Sequence, residues 1–195
     1  MARPKRTTDA LSASERIENA FWSLLAEYSY SKITISVLSK KAEVNHNTFY
    51  YYYENIDDMA EKLFKKNIAT NILNQIFSNL GNHNLSSSLL LTEPLPALRW
   101  ERAILFARSD SAFLTNIFKT AIMDAWLNAA NIEKNLLSTE DYMELDFIFS
   151  GLSTILGNRA HNNPNMLATI LDRELGVGIA ATFQRIIKTQ NHDRK

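Results

Sequence analysis

The run Asn45-His46-Asn47-Thr48-Phe49-Tyr50-Tyr51-Tyr52-Tyr53 puts two amides, an imidazole, a hydroxyl and four consecutive phenols into nine residues. All can hydrogen-bond and several are flat, so one flank of such a segment could meet phosphate oxygens and base edges. No other chemistry has comparable support. The chain has no cysteine, which removes thiolate nucleophiles, disulfides and cysteine-ligated zinc. Its four histidines include no i, i+4 pair with an accompanying carboxylate, His46 stands alone, and His83, His161 and Arg159 are scattered polar groups, so no metal site is expected. There is no glycine-rich phosphate loop and no Gly-x-Ser-x-Gly elbow. The acidic set Glu140, Asp141, Glu144 and Asp146 reads as a solvated helix start that complements the helix dipole, not as an acid and base pair. An enzyme is therefore not expected, and neither is a cofactor.

The elements that must carry the aromatic run follow from spacing. Between Lys5 and Leu80 there is neither glycine nor proline, so only capping chemistry interrupts the chain there. Ile17, Ala20, Phe21, Leu24, Leu25 and Tyr28 form one helical stripe, opened by a capping box from Ser12 and Glu15. Thr34 caps a helix of about two turns with Ile35, Leu38 and Ala42 on one face. The aromatic run would suit a strand by composition alone. With Asn45 as a cap, Phe49 and Tyr53 four residues apart and no neighbouring strand to pair with, a helix is expected. A fourth helix begins near Ile56 and is expected to run to Asn79, with Met59, Leu63, Phe64, Ile68 and Ile72 inward.

Further along, Gly81 to Ser88 reads as a loop, and Pro94 and Pro96 punctuate a second break. Helices are expected over Leu98 to Arg108; along Phe113, Ile117, Ala121, Ala125 and Trp126; from Ser138 or Thr139 through Tyr142, Leu145, Phe149, Leu152 and Leu156 towards Pro164; and over Met166 to Lys188. The fold class is all-α, with eight or nine helices. Residues are 46% hydrophobic and 22% charged, which suits a protein with a true core. Lysine plus arginine and aspartate plus glutamate both number 21, so no global field draws the chain to nucleic acid or an anionic membrane. Local clusters remain: Arg3, Lys5 and Arg6 in a basic arm, and Lys32, Lys40 and Lys41 near the aromatic run. No apolar stretch follows the arm as in a secretory signal, and no window spans a bilayer, so a cytoplasmic protein is expected.

Two short helices joined by a tight turn, behind a longer helix that covers their apolar faces, is the arrangement that presents a second helix to a DNA major groove. Val44, Phe49 and Tyr53 would pin that helix to the core. The stretch Ala42 to Met59, with Thr48-Phe49-Tyr50, an aromatic before Glu54-Asn55, and Asp57-Asp58-Met59, resembles the DNA-binding signature of TetR/AcrR-family transcriptional regulators. Ile33-Thr34-Ile35 and the stripe from Ile17 to Tyr28 resemble it too, so the likeness spans roughly residues 14 to 68. The resemblance implies an N-terminal three-helix helix-turn-helix domain, residues 1–56. This is joined through helix four to a helical ligand-binding and dimerisation domain, residues 57–195. It implies a homodimer on a near-palindromic operator in double-stranded DNA, with half-sites roughly 34 to 36 Å apart, released by a small-molecule effector. The resemblance implies base or phosphate contacts for Asn45, His46, Thr48, Tyr50 and Tyr51 and a phosphate at Thr34; Asn47 and Tyr52, on the same outward flank, are added to the expected DNA-contact residues. Two positions depart from the pattern: Glu43 where a glycine usually precedes the valine, and Ile56 where a phosphate-binding lysine is common.

For the second half, Trp100, Phe106, Phe113 and Trp126 are candidate pocket residues between bundle helices. Arg99, Arg102 and Arg108 share a helix with Trp100 and Phe106, and a buried member could pair with an anionic ligand. The last two helices carry Gly151, Gly157, Gly176, Gly178, Ala180 and Ala181, small residues that admit close approach, with Leu145, Leu152, Leu171, Ile179 and Phe183 as candidate dimer-interface residues. The expected function is a ligand-responsive transcriptional regulator, a repressor by family habit. The alternative is a small all-α enzyme or ligand carrier whose N-terminal helices only cap the bundle.

Overall fold

A computed structural model describes residues 11–67, 77–78, 97–159 and 169–193, and all regular structure among them is helical. The architecture is all-α. The chain forms two compact units, Met1–Lys66 and Asn67–Lys195.

In the first unit α1 spans Ala13–Glu27, α2 Ile35–Lys41, α3 His46–Tyr52, and α4 Ile56–Asn67 up to the unit boundary. Helix α4 thus packs with the first unit, where Met59, Leu63 and Phe64 are buried. Helix α1 opens with the expected reciprocal cap: Glu15 N–H donates to Ser12 Oγ at 3.2 Å, and Ser12 N–H donates to Glu15 Oε2 at 2.8 Å. The Ser12 hydrogen bonds hold the Glu15 carboxyl below its ordinary pKa. Ile17, Phe21, Leu24 and Leu25 lie in the core; Tyr28, placed on that stripe by spacing, is exposed and caps the helix end. Leu38, Phe49 and Tyr53 complete the inner face.

The turn from α2 to α3 is tight because Ala42 N–H donates to Leu38 O and Val44 N–H reaches back to Ser39 O. That geometry drives Glu43 into the left-handed region at φ 52. A side chain there costs about 1–2 kcal/mol that glycine avoids. Arg16 on α1 braces the strained residue, Nη1 donating to Glu43 O at 3.0 Å.

In the second unit α5 spans Ala97–Ala107, α6 Ala112–Ala129, α7 Thr139–Arg159 and α8 Glu174–Asp193, and α5, α6 and α7 pack on one another. The stripe on α6 differs from the expectation. Leu114, Phe118, Ile122, Ala125 and Trp126 face the core, whereas Phe113, Ile117 and Ala121 are half-buried. Ser111 caps α6, and the register then follows the bulkier set one position on. Trp126 meets Phe149 edge-on at 5.2 Å and Phe183 at 6.1 Å, forming an aromatic centre.

The last segment also differs from one continuous helix. Residues 169–171 are helical, the chain turns at 172–173, and α8 begins at Glu174. Gly176 N–H donates to Arg173 O in that turn, and a Cβ on Gly176 would collide with the Leu171 backbone. The acidic set is not simply a solvated face. Asp141 is buried and pairs with Arg185 at 2.5 Å, Glu144 pairs with the same guanidinium and accepts from Thr182 Oγ1 at 2.7 Å, and Asp146 pairs with Lys119 at 2.6 Å. Carboxylates at one end of α7 therefore tie it to both α6 and α8. The expected loop over Gly81 to Ser88, the helix end at Pro164 and the run of α4 beyond Asn67, including Ile68 and Ile72, lie outside the described residues.

Glu43→Gly should raise the melting midpoint by a few degrees, since the relief of left-handed strain exceeds glycine's extra chain entropy by about 0.5–1 kcal/mol. Glu43→Ala should not. Thermal denaturation by circular dichroism of the three proteins checks this.

Candidate nucleic-acid interface

Helix α3 has two unlike sides. Phe49 is fully buried and Tyr53, just past its end, is 7% exposed, whereas Tyr50 is 53% and Tyr51 81% exposed. Asn45 is the N-cap, its Oδ1 accepting from Asn47 N–H at 2.9 Å. Asn45, His46 and Asn47 are exposed and Thr48 is half-buried. His46 and Tyr50, one turn apart, meet edge-to-face at 5.6 Å; Tyr51 and half-buried Tyr52 do so at 4.9 Å. These contacts hold neighbouring rings of the helix against one another. Such edge-to-face pairs contribute roughly 0.5–1.5 kcal/mol beyond burial.

Thr34 is exposed at the start of α2 and accepts from Val37 N–H at 3.2 Å, which leaves its hydroxyl proton free to donate outward. Lys32, Lys40 and Lys41 are exposed on the same unit, as is Glu43. All eight residues expected as DNA contacts therefore belong to one compact unit, on or beside the outer flanks of α2 and α3. Val44 is half-buried beneath them.

Two groups on α1 hold this surface in place, and nothing in their spacing announced it. Arg16 braces the turn 27 residues away. Glu18, its side chain 14% exposed, accepts from Lys66 Nζ at 2.7 Å and 3.0 Å and from the Tyr53 hydroxyl at 3.4 Å. Burial, reinforced by the Glu18 charge, pushes the Tyr53 phenol up to about 12. The Tyr30 phenol is also raised, first by burial and then by its 2.5 Å hydrogen bond to Asp57 Oδ1. Two tyrosines thus tie the ends of α3 and α4 to the rest of the unit through their hydroxyls.

The other site expectations fare differently. Phe106 and Trp126 are sealed in the core of the second unit, at 0% and 2% exposure, and Phe113 is half-buried; the Trp100 and Arg99 side chains lie outside the described residues. Arg102 donates to Asn67 Oδ1 at 3.0 Å and Arg108 is exposed. Leu145, Leu152, Leu171, Ile179 and Phe183 are between 0% and 3% exposed within the single chain. They are buried within the chain's own second unit. Among the described residues no group of three or more His, Asp or Glu side chains could hold a metal ion, and no helix is long and apolar enough to cross a membrane. His83 and His161 lie outside the described residues, as does the Arg159 side chain.

No family model matches the chain, and no curated protein does. Among solved structures it is similar to the dihydroxyacetone kinase operon activator DhaS, at 17% identity and a TM-score of 0.36 over 93% of this chain and 97% of that one. It is also similar to the fatty acid degradation regulator FadR from Bacillus halodurans, at 14% identity and a TM-score of 0.36 over 89% of this chain and 97% of that one.

The two phenols give this unit an alkaline weakness. Because both pKa values are raised in the folded state, the stabilisation they represent is complete below about pH 10, the unfolded value, and for Tyr53 is lost as pH climbs to about 12. Tyr53→Phe should flatten the fall in stability between those limits, measured by urea denaturation at stepped pH.

Proposed function

We propose that this chain is a DNA-binding transcriptional regulator of the TetR/AcrR type, acting as a homodimer that a small-molecule effector releases from its operator. The observation that carries the reading is the two-sidedness of α3. A helix of seven residues spends Phe49 on the core and leaves two adjacent tyrosines more than half exposed beside an exposed His-Asn pair. Large exposed aromatics cost solubility, and their placement with amides and a tight turn suits a surface that lies in the major groove. In this reading Asn45, His46, Asn47, Thr48, Tyr50, Tyr51 and Tyr52 meet bases and phosphates, and Thr34, Lys40 and Lys41 hold the flanking backbone.

The near balance of charge shapes the mechanism. Glu43 sits at the turn and opposes phosphate, so affinity rests on hydrogen bonds and shape more than on counterion release, and salt weakens binding only moderately. Effector binding favours a dimer arrangement whose recognition helices no longer match successive grooves. A typical coupling of about 1–3 kcal/mol corresponds to a 5- to 150-fold loss of operator affinity.

The second copy is assigned to the exposed face of the last two helices. On α7, Met143 at 65% and Phe147 at 81% exposure lie one turn apart, followed one turn on by exposed Gly151. On α8, Gly178 and Ala181 are exposed, and Gly151 and Gly178 have open space where a Cβ would stand. A bulky apolar stripe beside small residues on an adjoining helix is self-complementary under a two-fold axis. Leu145, Leu152, Leu171, Ile179 and Phe183, expected there from spacing, are buried within the chain itself and are not part of this face.

Selection from a random DNA pool should return an inverted repeat, and Tyr50→Ala or Tyr51→Ala should abolish the gel shift while leaving the sedimentation coefficient unchanged. Recovery of no preferred sequence overturns the DNA reading. Phe147→Glu should yield a folded monomer by light scattering with a helical circular dichroism spectrum like that of the parent, and should weaken operator binding by more than tenfold. A dimer that persists places the interface elsewhere.

A further inference from the structure

The second unit contains a cleft of about 310 Å³ between α6 and α7, closed at one end by the C-terminus of α5. Of the aromatic residues expected to bind an effector, Phe106, Phe113 and Trp126 do not line it. Its wall is formed by Ala112, Thr115, Asn116 and Lys119 from α6 and Ser150, Ser153 and Thr154 from α7. The closed end depends on Gly157. A Cβ there would lie 2.5 Å from Ala107 O, so only glycine lets α7 approach the end of α5 this closely, and Ala107 also borders the cleft.

The hydrogen-bond inventory of the wall selects its ligand. Thr115 Oγ1 donates to Ser111 O and Ala112 O, both at 3.2 Å; Ser153 Oγ donates to Phe149 O at 2.7 Å; Thr154 Oγ1 donates to Ser150 O at 3.0 Å. Each of these hydroxyls has spent its one proton on its own helix, and what it retains is acceptor capacity. Lys119 Nζ gives one proton to Asp146 Oδ1 at 2.6 Å and keeps two, and Asn116 supplies an exposed amide with both functions. The Lys119–Asp146 pair leaves the wall with no net charge. An anion would meet several oxygen lone pairs and a cation already neutralised by its carboxylate. An apolar ligand would strip water from all of these groups without replacing the hydrogen bonds. A neutral polyhydroxyl compound fits both halves of the inventory, its O–H groups donating to Thr115, Ser153 and Thr154 and its oxygens accepting from Lys119 and Asn116. The volume stands near the lower end of ligand pockets, about 300 Å³, which limits the compound to a single small ring or short chain.

We propose that this cleft binds a small uncharged sugar or polyol. As the effector site the cleft rests on the regulator reading above; as a binding site it stands on its own geometry.

The test uses the full-length protein without DNA, titrated calorimetrically with d-ribose, d-glucose, d-fructose, ribitol and sorbitol, and separately with citrate, inorganic phosphate and octanoate. Saturable binding of one or more of the first five is expected. The paired substitution Thr115→Val with Thr154→Val, which keeps shape and removes two acceptors, should weaken it roughly tenfold or more. Asn116→Ala, at an exposed position that cannot perturb the core, should weaken it severalfold and guards against a folding defect in the double variant. Binding of none of the five overturns the assignment, as does binding that survives both sets of substitutions or preferential binding of citrate, phosphate or octanoate at this wall. A parallel gel shift on a selected operator separates the two readings. Sugar binding that leaves operator affinity unchanged upholds the cleft and removes its role as effector site. Operator binding by a protein that takes up none of the five probes upholds the regulator and removes the cleft.

Discussion

Everything on the candidate DNA surface depends on how a helix too short to exist alone is held. Isolated helices below about 12–15 residues are marginal in water, and α3 has seven. Its conformation is imposed by burial of Phe49 at its middle and of the Tyr53 ring at its end. Rotating α3 about its axis would expose Phe49 at a cost of about 1.5–3 kcal/mol and bury Tyr51, whose hydroxyl would then need a partner. The inward pair therefore fixes the outward set. The hydrogen bond from Tyr53 to Glu18, and the bonds of Lys66 to the same carboxylate, connect α3, α1 and α4 at one point.

The charged groups serve the fold more than they serve a field. Lysine and arginine balance aspartate and glutamate over the whole chain, and several of the best-placed pairs join helices. Arg185 holds Asp141 and Glu144, and Lys119 holds Asp146, so three carboxylates within two turns of α7 are each committed to a neighbouring helix. Asp141 is buried, so removing Arg185 would leave a poorly solvated carboxylate, which is more costly than the pair itself is favourable. Exposed pairs such as Lys62–Asp58 add little to stability, although that lysine and the Glu54 N–H do hold the Asp58 carboxyl below its ordinary range.

Local signals made the first unit legible. The Ser12–Glu15 box, the Thr34 and Asn45 caps and the Ile17 to Leu25 stripe each involve residues within a few positions, so they could be read from spacing, and the structure contains all of them. The departure at Glu43 was visible as an odd residue; its meaning, a left-handed turn braced by Arg16, required the contact across 27 positions. The second unit was less legible for the same reason. Apolar periodicity on α6 admitted two overlapping stripes, one through Phe113 and one through Leu114, and only the neighbouring helices chose between them. An acidic helix start looks the same whether it faces water or an arginine 44 residues away. Periodicity also identifies which side chains are apolar without saying which chain will cover them. Leu145 and Phe183 lie on the periodic stripes of their helices and are buried within the chain, while Phe147, off its stripe, is exposed.

The same ambiguity explains why the aromatic residues of the second unit drew attention as a pocket. Trp126, Phe149, Phe183 and Phe77 pack with centroids 4.9 to 6.5 Å apart, mostly edge to face, which is the density of a core and not of a binding site. The Trp126 indole N–H has no hydrogen-bond partner in that centre, at a cost of about 1–3 kcal/mol that is accepted because the rest of the ring is fully packed. Admitting a ligand there would mean separating rings that already satisfy one another. At the cleft beside α6 and α7 no protein group has to be displaced, only water: its hydroxyls keep their intrahelical bonds, its lysine keeps its carboxylate, and the lone pairs and amide left over are what a ligand would use. A small molecule is therefore better accommodated by the polar seam between these helices than by the aromatic centre they enclose.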